Sequence, residues 1–265
     1  MLTTLMKYEM KAVGRILLPL YGAWIITAVM LGLSLGGSAY SENDFFIALS
    51  AILYGVVSVA AVIMTLIILI QRFYKNLLGS EGYLMFALPV STGKHITSKV
   101  ISAAVWTIIG TLVAIITGMA IVITIEGVTS FWDGLVFIAG DIKIAIEREP
   151  SSLILLAEVL VLAVIAAAEA ATKIYAAIAV GHLWSNHRVL GAFGAYIGFG
   201  IVESVAVNIF RMIVDTGIFD RIFSDMHYMT QFHLTLIGCI LLAAFIAAVY
   251  WFVCWIILDR KLNLE

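Results

Sequence analysis

Several stretches of this sequence run apolar for 20 residues or more without a break. A helix rises about 1.5 Å per residue, so roughly 20 such residues cross a hydrocarbon layer about 30 Å thick. Apolar residues make up 63% of the chain and charged residues 12%, against roughly 45–50% and about 25% in soluble domains. A water-soluble globule is excluded, and the sequence reads as an all-α polytopic membrane protein.

The hydropathy pattern places six spans at approximately residues 16–38, 45–70, 100–125, 151–181, 190–214 and 232–258. An even number puts both termini on one side. With the amino terminus in the cytoplasm, the inner segments hold Lys7, Lys11, Arg15, Arg72, Lys75, Lys94, Lys99, Lys173, Arg188, Arg260 and Lys261. The outer segments hold Lys143, Arg148, Arg211 and Arg221, an inside bias of eleven to four. The three prolines, Pro19, Pro89 and Pro150, fall at the edges of these elements, where a missing N–H costs little. No loop is long enough to fold as a separate soluble domain, so residues 1–265 form a single membrane domain.

A net charge of −2 gives no reason to expect nucleic acid as a partner. Cys239 and Cys254 lie fifteen residues apart on one apolar stretch, too far along a helix to bridge, and read as buried packing thiols. A cleaved signal peptide is not expected, because the run Ile16–Leu35 exceeds a typical signal core and an amphipathic segment precedes it. In that segment Leu2, Leu5, Met6, Met10, Val13 and Leu17 share one helical face, opposite Thr4, Lys7, Lys11 and Arg15. It reads as a basic interfacial helix on the lipid bilayer, with a plain extension of the first span as the alternative.

Between the second and third spans, Tyr83, Leu84, Met85, Phe86, Ala87 and Leu88 form an apolar run too short to cross a bilayer. Ser80 suits the cap of a short helix, Glu81 its positive end, and Pro89 its termination. Bare apolar side chains at an aqueous face need a cover, either the ends of the chain's own spans or a partner. Ser91, Thr92, Gly93 and Lys94 approach the end of a phosphate-binding loop, but Leu88 and His95 occupy two of its fixed positions. Ser91 or Thr92 therefore reads as the cap of the third span, with Lys94 and Lys99 as interface anchors.

The string from Arg72 to Lys99, RFYKNLLGSEGYLMFALPVSTGKHITSK, resembles the loop between the second and third spans of ABC-2 type permeases, the membrane subunits of bacterial ABC exporters. The stretch from Ile174 to Gly191, IYAAIAVGHLWSNHRVLG, resembles their turn between spans four and five. The resemblance is specific at these two stretches and extends to the rest of the chain in layout. It implies that Ser80, Glu81, Tyr83, Leu84, Met85, Phe86 and Leu88 form a cytoplasmic coupling helix that docks on a separately encoded ABC ATPase. It also implies pairing with a second permease copy or a sister permease in a bacterial cell membrane. The chain would be no enzyme and hold no cofactor; ATP and magnesium would sit on the partner.

Ionisable groups at membrane depth cost roughly 2.5–3.5 kcal/mol each on insertion scales, so each needs a partner or water. Glu169 and Lys173 stand four apart with the glutamate first, the favourable order for mutual neutralisation. Glu158, about three turns before Glu169, falls on nearly the same stripe, which should face protein or water. Glu203 has no cation within one helical turn. It reads as a carboxylate on the translocation route or at an inter-span contact, or as a protonated group bonded to a neighbouring helix. Gly194 and Gly198 permit close packing within the subunit or against a second one.

Residues 217–226 read as a short outer amphipathic helix, and 132–149 are compatible with helix or strand. His182 and His187, beside Trp184 and Arg188, suit a headgroup or partner contact better than a metal. A competing reading is a proton-coupled secondary transporter relaying through Glu158, Glu169 and Glu203, though it lacks the expected inverted repeats. An intramembrane enzyme or scaffold is disfavoured by the absence of a catalytic constellation.

Overall fold

The computed structural model describes residues 2–37, 44–79, 82–87, 89–184, 186–215 and 228–260. In chain order the helices are α1 (Leu2–Gly37), α2 (Asp44–Phe73), α3 (Gly82–Phe86), α4 (Thr92–Glu126), α5 (Val128–Arg148), α6 (Ser152–Gly181), α7 (Arg188–Asp215) and α8 (Tyr228–Arg260). A π-helical turn, Tyr74–Leu78, continues α2. No strand occurs among the described residues. Helices α1, α2, α4, α6, α7 and α8 are long and apolar enough to cross a membrane. The chain is an all-α polytopic membrane protein.

The spans expected from hydropathy lie inside helices that run further. With 36 residues, α1 is roughly 54 Å long and exceeds the hydrocarbon thickness. The amphipathic segment and the first span are thus one helix, and Pro19 sits inside it rather than at an edge. A membrane helix tolerates such a proline because neighbouring groups can take up the freed backbone carbonyl. The expected amphipathicity is present: Lys7, Lys11 and Arg15 are exposed, while Val13 and Leu17 are buried. Glu9 lies one turn before Val13 on that buried face and is only 7% exposed, a buried carboxylate the sequence reading passed over.

Residues 132–149, left open between helix and strand, belong almost entirely to α5. Gly127 separates α4 from α5 at φ 85°, a conformation strained for residues with a Cβ. Pro89 and Pro150 do fall between helices, as expected. The expected helix at 217–226 lies outside the described residues.

The helices divide into two compact units. In one, comprising the described residues of 7–69 and 105–150, small residues set the packing. Gly32 and Gly36 lie against Thr124, where an added Cβ would collide, and Gly14 lies under the Trp106 ring. Tyr21 Oη meets Thr65 Oγ1 at 3.1 Å, and Tyr54 Oη meets Thr117 Oγ1 at 3.4 Å.

In the other unit, the described residues of 1–6, 70–104 and 151–265, α6 packs against both α7 and α8. Phe73 stacks on Tyr175 with ring centroids 4.1 Å apart and planes at 6°. The start of α4 is tied to the end of α8: Thr92 Oγ1 donates to Asp259 Oδ1 at 3.0 Å, and Trp251 Nε1 donates to Thr97 Oγ1 at 3.3 Å. Ser91 takes the capping position through its carbonyl, which accepts from Lys94 N at 2.9 Å. Lys94 is exposed, as an anchor should be. Lys99 is not: it is 5% exposed, and its Nζ donates to the Arg72 carbonyl at 3.4 Å.

Candidate functional site

Two features merit weight as functional sites: the polar groups within α6–α8, and the short helix after α2. The expected Glu169–Lys173 neutralisation is not the arrangement found. Lys173 Nζ donates instead to Glu203 Oε2 on α7 at 2.5 Å, with the two side chains 14% and 25% exposed. A flexible lysine stem reaches a facing helix as easily as its own next turn, and the close approach of α6 and α7 brings Glu203 within range. Glu203 therefore has a cation, supplied from across the helix interface, and its position is an inter-span contact. Tyr250 of α8 joins them: its hydroxyl donates to the Phe199 carbonyl at 3.2 Å and to Glu203 Oε2 at 3.5 Å.

Glu169 lies within electrostatic range of both Lys173 and Glu203. Its Oε1 is buried and has no hydrogen-bond partner among the described residues. About three turns earlier, Glu158 Oε2 meets His233 Nδ1 of α8 at 2.8 Å, both side chains being about 15% exposed. The expected polar stripe of α6 does face protein. Sequence reasoning missed His233 and Tyr250, because each looks like an isolated polar atom in an apolar run until the helices are placed side by side. Cys254 is buried and Cys239 half-buried on α8, both as free thiols.

Of the expected Ser80–Leu88 helix, Gly82–Phe86 is helical among the described residues. Ser80, Glu81 and Leu88 lie outside the described residues, as does the Phe86 side chain. Gly82 N donates to the Gly79 carbonyl at 2.9 Å and Ala87 N to Tyr83 O at 3.1 Å, which ties the short helix to the end of the π-helical segment. Leu77 and Leu78 are buried beside it, and Met85 is half-buried. Tyr83 and Leu84 are 57% and 74% exposed. The apolar run is thus anchored at its base and uncovered at Tyr83 and Leu84.

Between α6 and α7 the chain turns through His182, Leu183, Trp184, Asn186 and His187. Gly181 approaches the Ala192 backbone so closely that a Cβ there would collide, and Gly191 lies against Trp184. Gly194 and Gly198 meet nothing among the described residues within 4 Å of an added Cβ. Among the described residues no group of three metal-ligating side chains converges. An apolar cavity of about 260 Å³ lies in the other unit, lined by Tyr21, Trp24, Ala61, Thr65 and Gly110 among others.

Compared with known protein families, curated proteins and solved structures, the chain matches none.

Proposed function

We propose that this chain is the permease subunit of an ATP-driven ABC-2 type exporter in a bacterial cell membrane, with both termini cytoplasmic. Two such permeases, identical or sister chains, would form the translocation pathway. Each would engage a separate ATPase subunit that carries ATP and magnesium. The uncovered Tyr83 and Leu84, on a short helix anchored where α2 ends, carry this reading. Exposed apolar side chains on a loop helix fit a groove on a partner. Closure of the ATPases on ATP would pull on this lever, and the spans would follow the state the ATPases bind best. The faces of Gly194 and Gly198, unfilled among the described residues, suit the second permease.

The competing proton-coupled transporter is less well supported. Glu158 and Glu203 are engaged by His233 and Lys173 in ties between helices, which accounts for them as structural groups. Glu169 alone stands outside such a pair.

Purification from native membranes tests the proposal. The chain should co-elute with an ATPase carrying phosphate-loop motifs, and Tyr83→Asp combined with Phe86→Asp should abolish that at normal expression. Full proton-driven flux from the chain alone in liposomes would reject the exporter.

A further inference from the structure

A cavity of about 290 Å³ opens where the end of α2, the end of α6 and the start of α7 come together. Its walls are Ile70, Tyr74, Ile178, His182, Arg188, Val189 and Ala192. Two of these can carry positive charge, and no carboxylate is among them. His182 Nδ1 and Arg188 Nε are both buried and have no hydrogen-bond partner among the described residues. Buried polar atoms in native proteins are ordinarily satisfied; here two residues lining one cavity each carry an unsatisfied one, the Arg188 N–H a donor and His182 Nδ1 a donor in one tautomer, which suits an acceptor group. The remaining walls are apolar apart from the Tyr74 hydroxyl, and the cavity lies about Gly181, the end of a helix long and apolar enough to cross a membrane, which is the level expected for lipid phosphates.

We propose that this cavity binds the phosphate of an anionic phospholipid. Arg188 pairs with the phosphate oxygens in the manner that makes guanidinium groups common phosphate ligands. His182 donates a second bond, and an acyl chain runs along Ile178, Val189 and Ala192. The site is independent of which energy source drives the protein. A lipid held here would bridge α2, α6 and α7 at one membrane face.

The electrostatics give this site a signature. Burial, and secondarily the positive charge of Arg188, hold the His182 imidazole below its ordinary range. The groups facing His182 are Arg188 from α7 and the edge of the Tyr74 ring at 6.2 Å from the end of α2; His187, in the same turn, is exposed. A bound phosphate opposes both effects and favours the imidazolium. By linkage, binding tightens as pH falls.

Purified protein in neutral detergent is titrated with short-chain phosphatidylglycerol, with phosphatidylcholine of the same chain length, and with inorganic phosphate, and retained ligand is read by native mass spectrometry. The expected result is at least fivefold tighter binding of phosphatidylglycerol than of phosphatidylcholine, and tighter binding at pH 6 than at pH 8. Arg188→Gln should remove the preference between lipids, and His182→Gln the pH dependence. Should Arg188→Gln fail to fold, Val189→Trp serves instead, since Val189 lines the cavity and, 86% exposed, has room for a larger side chain that would compete with a bound lipid. Equal affinity for the two lipids, or a preference untouched by both Arg188→Gln and Val189→Trp, overturns the proposal. So does inorganic phosphate binding as tightly as phosphatidylglycerol, which would assign the site to a soluble anion.

Discussion

Lys173 decides how the interior of α6–α8 is held together, because its ammonium pairs with Glu203 on α7 and lies within electrostatic range of Glu169 on its own helix. Removing one partner of a partly buried pair leaves an uncompensated charge, at a cost somewhat below the roughly 3–5 kcal/mol of a fully buried one. Lys173→Met should therefore destabilise the protein by about 2–4 kcal/mol, and Lys173→Met with Glu203→Gln should recover most of that loss. Unfolding in mixed detergent through the double-mutant cycle measures it; additive losses would refute the coupling. His182 makes a second residue-level prediction. Its imidazole titrates below the ordinary value when folded, so its stabilisation is complete above about pH 6.5 and is lost as pH falls toward the folded value. In lipid-free neutral detergent the melting temperature should drop on acidification, and His182→Gln should flatten that part of the profile.

Among helices, the division of labour between glycines was only partly legible in the sequence. The close spacing of Gly194 and Gly198 was visible, yet these positions meet nothing among the described residues, while Gly32 and Gly36 press against Thr124. Spacing shows that a helix can approach another and not which one comes. Gly32→Leu should cost about 1–3 kcal/mol by overpacking. Gly194→Leu with Gly198→Leu should leave the melting temperature of the isolated chain unchanged and weaken the proposed association of two copies, measured by light scattering of the detergent complex. Loss of the isolated fold in the second variant would count against a surface role. The extents of the helices were misjudged for a related reason. Hydropathy marks where lipid is, whereas α4 continues through Thr92–Lys99 on hydrogen bonds and on contact with Trp251, which leave no apolar signal.

For the molecule as a whole, the six spans and the all-helical architecture were readable because unbroken apolar length admits so few solutions. The polar ties were not. Glu203 looked unpartnered because its cation comes from another helix, and Lys99 looked like an interface anchor although its Nζ is folded onto the Arg72 carbonyl. Pairing across helices depends on which faces meet, and one sequence does not encode that in any local pattern. The apolar run after α2 was legible by its contrast with its surroundings, and Tyr83 and Leu84 in it are exposed, as the proposed docking of an outside subunit requires. The most direct measurement places a photocrosslinking amino acid at Leu84 in living cells and identifies the adduct by mass spectrometry. The account expects a crosslink to an ATPase with phosphate-loop motifs, diminished by Tyr83→Asp. Adducts formed solely with lipid or with this chain itself would contradict it.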